Sequence, residues 1–303
     1  MECSIAVTDP ADVPHIFERA LVRARRTRAA ALSSRADLFL VERMAGDICD
    51  RLAAVERQFH RAVIHGGRAS LFRDALAREP AASSRIENLI QSDVAAVLAG
   101  PGGVVADADA LPFRAESLSL FISLATLHAI DDLPGALVQI RAALRPDGLF
   151  IGSFFGGETL SELRAALGAA EVEIEGGLSP RIAPFVDVRE GAGLLQRAGF
   201  SLPVADRDRV TVTYETPFAL FQDLRAMGET NALSARRRRP MRRATLGRAM
   251  EIYAERYALP NGRVRATFDI VTLTGWTPHD NQQVPLKPGS AKASLADALK
   301  GDG

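Results

Sequence analysis

In the stretch RAVIHGGRASLF (residues 61–72), an apolar run of Ala62, Val63 and Ile64 meets His65, Gly66 and Gly67, and an alanine-rich segment follows. A strand, a glycine turn and a helix start in that order outline a nucleotide-binding loop, because glycine lets the backbone approach a ligand closely. Further on, IENLIQSD ends in Asp93, and GGVVADADALPF carries Asp107 and Ala108 after a valine pair. Carboxylates just past strand ends are placed to accept hydrogen bonds from ligand hydroxyls. His128, in LATLHAI, follows a fourth strand-like run. An imidazole there can accept a proton as a general base, or cap the turn it sits in. GGETLSELR adds Glu158, Thr159 and Arg164 behind paired glycines, with Thr159 as a helix cap and Glu162 three residues later. EIEGGLSPRIAPF places Glu175, Ser179 and Arg181 on a loop punctuated by glycine and proline, which reads as a lid or recognition loop. Two polar clusters, MGETN with Gly228, Glu229 and Asn231 and WTPHDNQQ with Trp276 and His279, are able to line a peptide groove.

The elements that must hold these residues alternate. Residues 15–59 read as helical: Phe17, Leu21 and Ala24 fall on one side with arginines around them, and Leu40, Met44, Ile48 and Leu52 form a four-residue stripe. Strand-like RAVIHG is followed by helical ASLFRDALARE, stopped by Pro80, then by a strand in IENLIQSD, a short strand ending at Asp107 in GGVVADADALPF, and a fourth strand in SLSLFISLATLHAI that runs into a turn. DLPGALVQIRAALRPDG reads as a helix with Gly148 as its stop, and GLFIGSFF as a fifth strand. Later come helices in GETLSELRAALGAAEVEIEG, PFVDVREGAGLLQRAGF, TPFALFQDLRAMGETNAL and RATLGRAMEIYAERY, with late strands in RVTVTYET and VRATFDIVTLTGWTP. Strands alternating with helices at this spacing predict a mostly parallel sheet covered on both faces, with ligands at the carboxyl ends of the strands.

Composition narrows the rest. The chain has 303 residues, is 47% hydrophobic and 24% charged, and balances 37 Lys and Arg against 37 Asp and Glu. A net charge of zero gives no global attraction to nucleic acid or anionic membrane. Its one charge run, SARRRRPMRRATLGR (Arg236 to Arg243 and Arg248), lacks the interleaved aromatics of a nucleic-acid site, and a solvated loop or a protein-partner surface fits it better. Cys3 and Cys49 make neither a disulfide framework nor a thiolate metal site. The five histidines are scattered without metal-ligand spacing, so no metal is expected. No apolar run approaches the roughly 18 residues of a membrane span. The N-terminus lacks the basic-then-apolar order of a secretory signal, and a cytoplasmic bacterial location is expected.

Taken together, VVADADALPF, LHAIDDLPGALVQIRAALRPDGLFIGSFFGGETLSELR and GLLQRAGF resemble the S-adenosylmethionine (SAM)-dependent methyltransferases, including the malonyl-carrier-protein methyltransferases of biotin synthesis. AEVEIEGGLSPRIAPF, LRAMGETNAL, IYAERY and GWTPHDNQQVPLKPGSA are similar to the family of NADH:ubiquinone oxidoreductase complex assembly factor 5 and its bacterial relatives. The resemblance covers about residues 15 to 295. It implies an α/β Rossmann-like SAM-dependent methyltransferase fold: a seven-stranded, mostly parallel sheet with helices on both faces, the last strand antiparallel, and helical N-terminal and C-terminal additions. The implied organisation is a helical extension at 1–58, a methyltransferase-like domain at 59–280 with a lid or insertion at about 157–250, and a tail at 281–303. Asp93 falls at the position for the acid on the cofactor ribose, Asp107 and Ala108 at the adenine side, and His65, Gly66 and Gly67 at the first loop. The loop departs from the family pattern: Ile64 replaces an acid, Ala69 and Ser70 stand where a glycine is expected, Ser119 replaces an acid, and Ala129 replaces a tryptophan beside His128. The resemblance implies SAM as cofactor and a complex I subunit as partner. It also implies modification of a protein side chain, by methylation or arginine hydroxylation, in complex I assembly. Glu158, Thr159, Arg164, Arg181, Asn231 and Trp276 are the candidate substrate or partner contacts. Two alternatives stand beside it: an O-methyltransferase of a small molecule or acyl carrier, and a non-catalytic assembly chaperone with an eroded SAM loop.

Overall fold

The computed structural model describes residues 15–32, 34 and 36–282; Cys3, the far N-terminus and residues 283–303 of the tail lie outside them. Helix α1 (Arg19–Leu32) and helix α2 (Phe39–Ala53) precede the sheet, joined through a short 3-10 turn at Ala36–Leu38. Strand β1 (Ala62–Gly66) leads to α3 (Ala69–Arg78) and the one-turn α4 (Pro80–Ser83). Then come β2 (Leu89–Asp93), α5 (Ala96–Ala99), β3 (Val104–Val105) and β4 (Leu118–Leu124). Helix α6 (Leu133–Ala143), β5 (Leu144–Gly156), α7 (Ser161–Glu175), α8 (Val188–Arg197) and β6 (Ser201–Tyr214) follow, and α9 (Pro217–Met227), α10 (Arg243–Tyr257) and β7 (Val264–Trp276) end the order.

The seven strands form one sheet in the order β3-β2-β1-β4-β5-β7-β6. Strands β1 to β5 pair in parallel, and β7 enters antiparallel between β5 and β6. Side chains alternate along each strand between two cores. Ile64, Leu120, Ile122 and Ile151 face a layer with α2, α3, α7 and α10, while Val63, Phe121, Phe150 and Leu273 face α6 and α8. The predicted α2 stripe is fully buried, with Leu40, Met44, Ile48 and Leu52 all at 0% exposure.

Some local expectations are corrected. Helix α6 stops at Ala143, and Gly148 lies within β5 beyond the chain reversal. The helix stops early because Leu144 already pairs with Leu118 of β4. Thr159 does not cap α7: Leu160 precedes that helix in a left-handed conformation, and the buried Thr159 hydroxyl donates to the Gly156 carbonyl at 2.7 Å. Helix α1 buries Val22 and Ala29, whereas Ala24 is exposed, so its inward stripe runs through Arg19, Val22, Arg26 and Ala29.

Candidate active site

Parallel strands of one sheet end along one rim, and β1, β2, β4 and β5 deliver Gly66, Asp93, Leu124 and Gly156 to it. Helix α1 lies across that rim. Residues seven apart on a helix share a face two turns, about 10 Å, from each other. Arg19 and Arg26 use that spacing to reach both strand-end acids. Arg26 grips Asp93 through Nη2 at 2.7 Å and Nε at 3.3 Å, and reaches the Ala125 carbonyl at 3.4 Å. Arg19 donates to both carboxylate oxygens of Asp107, with Nε at 3.0 Å, and to the Ala129 carbonyl. Burial works against the Arg26 charge, but the Asp93 carboxylate outweighs it and holds the guanidinium above its usual range. Burial pushes the Asp107 carboxyl up, and the Arg19 guanidinium with the Asp109 amide brings it below the usual carboxylate range.

The start of α1 is stitched down independently. Glu18 N–H donates to the Ala232 carbonyl at 2.9 Å and Ser234 N–H to the Ile16 carbonyl at 2.9 Å, while Phe17 N–H donates to Asp131 at 2.7 Å. Phe17, Val22 and Leu233 make a small apolar cluster beneath this seam.

The glycine loop is packed from below. Gly66 and Gly67 have φ of +84° and +64°, which only glycine adopts without strain. A Cβ on Gly66 would meet the Thr126 methyl, and one on Gly67 the Leu124 side chain. The glycines therefore serve the approach of β4 and its following turn as well as the loop. His65 is buried, accepts or donates a hydrogen bond at Nδ1 with Ser92 Oγ at 3.1 Å, and is pushed down to about 4 by burial. Ala108 is buried beside Asp107.

The methyltransferase fold implies SAM at this place, and in the present arrangement the residues do not fit it. Both acids already accept guanidinium hydrogen bonds, and the free space between Arg26, Gly67 and Ala125 is about 20 Å³. Cofactor pockets usually need roughly 300 Å³ or more.

On the other side of Arg26 the rim opens into a cavity of about 380 Å³. Its walls are apolar and aromatic, with Phe17, Phe155, Phe185, Leu224 and Phe268 among them. His128 sits on a 3-10 turn, Leu127–Ala129, with its side chain only 5% exposed. Its Nε2 lies 2.8 Å from Glu229 Oε2, and its ring packs on Phe155 and Phe185. Its Nδ1 is buried without a hydrogen-bond partner. The second nitrogen is thus the one unsatisfied polar atom of that ring, in a wall that Arg26, Thr159, Arg181, Arg225 and Asn231 also line.

The other expected contacts divide. Thr159, Arg181 and Asn231 line the cavity, Arg181 tied to the buried Glu171 at 2.8 Å and Asn231 to the Pro180 carbonyl at 2.8 Å. Arg164 holds the Ala183 carbonyl at 3.0 Å from the exposed side of α7. Glu158 is exposed, its amide donating to Asp269. Trp276 pairs across from Leu149, at the amino end of the core of β5, because β7 runs antiparallel and carries its carboxyl end away from the rim. Gly156 and Gly157 pack closely on Val271 and Asp269. Arg19 and Arg26 are hidden in the sequence among neighbouring cations and small residues; their seven-residue spacing with Val22 and Ala29 is the available signal. Among the described residues, no group of three His, Cys, Asp or Glu side chains is placed to hold a metal ion, and no helix is long and apolar enough to cross a membrane.

Known proteins resemble this chain in sequence and in fold. A methyltransferase domain family matches residues 80–152. YcgJ of Bacillus subtilis superposes with a TM-score of 0.52 at 11% identity, covering 78% of this chain and 99% of that one, a likeness of fold. A malonyl-[acyl-carrier protein] O-methyltransferase of Halorhodospira halophila is 36% identical over 58% of this chain and 58% of its own length. The mitochondrial arginine-hydroxylase NDUFAF5 of Danio rerio is 39% identical over 94% of this chain and 90% of its own length. With that extent of identity, on the strand order already described, the chain belongs to the NDUFAF5 family of methyltransferase-fold proteins.

Proposed function

We propose that this protein modifies an arginine side chain of a partner protein, a complex I subunit, in the cavity beside the His128–Glu229 pair. The carrying observation is the cavity itself: about 380 Å³, mostly aromatic and apolar, with the Glu229 carboxylate, the His128 imidazole and the guanidinium groups of Arg26, Arg181 and Arg225 in its wall. An arginine presents three methylenes that suit apolar walls and a flat guanidinium that stacks on aromatic rings and donates to a carboxylate. Glu229 would accept from the guanidinium, and His128 would exchange a proton or hold the group in register through its unpartnered nitrogen. Kinship over nearly the full length with proteins named arginine hydroxylases supports this substrate over a small acid.

The test is mass spectrometry of complex I subunits from a deletion strain. An arginine-containing peptide should lack the mass of one oxygen atom, or of one methylene if the modification is methylation. Unchanged subunits would overturn the reading. A second reading, assembly chaperoning without turnover, draws on one observation, the engagement of Asp93 and Asp107 by arginines. Calorimetry with SAM bears on methylation alone: no heat from well-folded protein removes methylation and leaves hydroxylation and chaperoning to the mass spectrum.

A further inference from the structure

Beside the cavity mouth lies a second concavity of about 480 Å³, lined by Arg25, Arg181, Arg236, Arg237, Arg238 and Arg239. Arg181 and Asn231 line both spaces, so the basin adjoins the cavity. The basin is short of negative charge. Glu18 pairs with Arg236 at 2.6 Å and with Arg238 at 3.7 Å, Glu175 pairs with Arg237, and Glu171 with Arg181. Three carboxylates therefore meet six guanidinium groups. Arg25 Nη1 is buried with no hydrogen-bond partner, and burial together with Arg236 and Arg28 holds Arg25 below its usual range. Among the described residues Arg239 has no acidic partner, and it is exposed. The chain as a whole is neutral, so this excess is local.

Every cation here is arginine, whose fork binds carboxylates in two parallel hydrogen bonds. No aromatic ring lines the basin among the described residues, so stacking of nucleic-acid bases has no platform. We propose that this arginine basin binds an acidic peptide segment, the Asp- or Glu-bearing residues flanking the side chain that enters the adjoining cavity. The inference rests on the reading that the cavity receives a residue of a protein partner. The basin orients the partner, and the cavity selects the residue.

Fluorescence anisotropy with a labelled hexaglutamate peptide, against a hexaglutamine control, tests it on the full chain. Wild type should bind hexaglutamate and not hexaglutamine, and added salt should weaken binding. The double substitution Arg238→Glu, Arg239→Glu touches two exposed side chains and should weaken binding by at least about tenfold, or about 1.4 kcal/mol. Arg114→Glu, exposed and remote, should stay within about twofold of wild type, or about 0.4 kcal/mol. Equal binding by wild type and the double substitution overturns the basin. So does tighter binding of oligouridine or of phosphatidylserine vesicles than of hexaglutamate, which would assign the surface to nucleic acid or membrane. The failures are separable: a missing mass change in complex I overturns the modification and leaves hexaglutamate binding standing. Equal peptide binding overturns the basin whatever the mass data show.

Discussion

Two neighbouring stretches of the same sheet rim differ in what fills them. Over β1 to β3 the strand-end acids are taken by charge: Asp93 and Asp107 each hold an arginine of α1, and the gap between Arg26, Gly67 and Ala125 is about 20 Å³. Over β4 and β5 the space is left open by apolar walls, with about 380 Å³ free and one His–Glu pair inside. Charged side chains are long and seek partners, so opposite charges on facing elements draw together and close a gap. Aromatic and branched walls have no such partners to find, and a space between them is held by the packing of the elements behind it. The rim over β1 to β3 is therefore closed by bonds that can be exchanged, the rim over β4 and β5 kept open by packing that cannot.

The largest test of this contrast is the pair Arg26–Asp93. Arg26→Ala leaves a buried carboxylate unpaired and should cost about 3–5 kcal/mol in guanidinium unfolding, while the double substitution Arg26→Gln, Asp93→Asn should recover most of it. A single-substitution cost below about 1 kcal/mol would show that the closure is superficial.

Next in size is acid sensitivity on the closed side. Burial holds His65 at about 4, against 6.5 for an imidazole in water. Between those pH values the unfolded chain binds a proton that the folded chain refuses, so stability rises with pH up to about 6.5 and then levels. On acidification the loss should approach roughly 1.4 kcal/mol per pH unit. Comparison of unfolding curves for wild type and His65→Asn isolates this slope, and an equal slope in the variant would remove His65 as its source.

Smaller again is the effect on SAM. If Arg19 competes with the cofactor for Asp107, Arg19→Gln should tighten SAM binding about tenfold by calorimetry, or about 1.4 kcal/mol. Weaker binding would make Arg19 a cofactor contact and reverse its role. The smallest effect belongs to the open side. Val22→Phe adds a ring where there is room, so its cost should stay below the roughly 1–3 kcal/mol of ordinary overpacking. Uptake of the arginine-bearing peptide should nonetheless be blocked. A large loss of stability would mean that the cavity collapses around Val22 in solution.

The sheet is legible in the sequence because each strand and each covering helix carries its own periodicity: Leu40, Met44, Ile48 and Leu52, or the strand ending at Asp93, are local facts. The strand-end acids are legible for the same reason. Their partners are not, since Arg26 and Asp93 are 67 residues apart and Arg19 and Asp107 are 88 apart. No window of sequence shows which face of an arginine-rich helix turns inward: Phe17 is buried as its pattern suggests, but Leu21 and Ala24 make the wrong face look apolar. Gly148 misleads in a similar way: a glycine after a helix usually ends it, but here strand pairing at Leu144 ends it four residues sooner. The polar neighbours of Trp276 suggest a contact residue, and the antiparallel entry of β7, a property of topology, takes it to the opposite end.

Helix α1 has one further consequence. Phe17 and Val22 face the cavity while Arg19 and Arg26 hold the strand-end acids, so one rigid rod is the partition between two chambers. A partition that moves for one occupant changes the room left for the other. By reciprocity, a ligand that lifts the rod from the acids and thereby changes affinity for an occupant of the cavity must have its own affinity changed by that occupant by the same factor. One helix thus forms a wall of both spaces, so a ligand titration at either is read together with the state of the other.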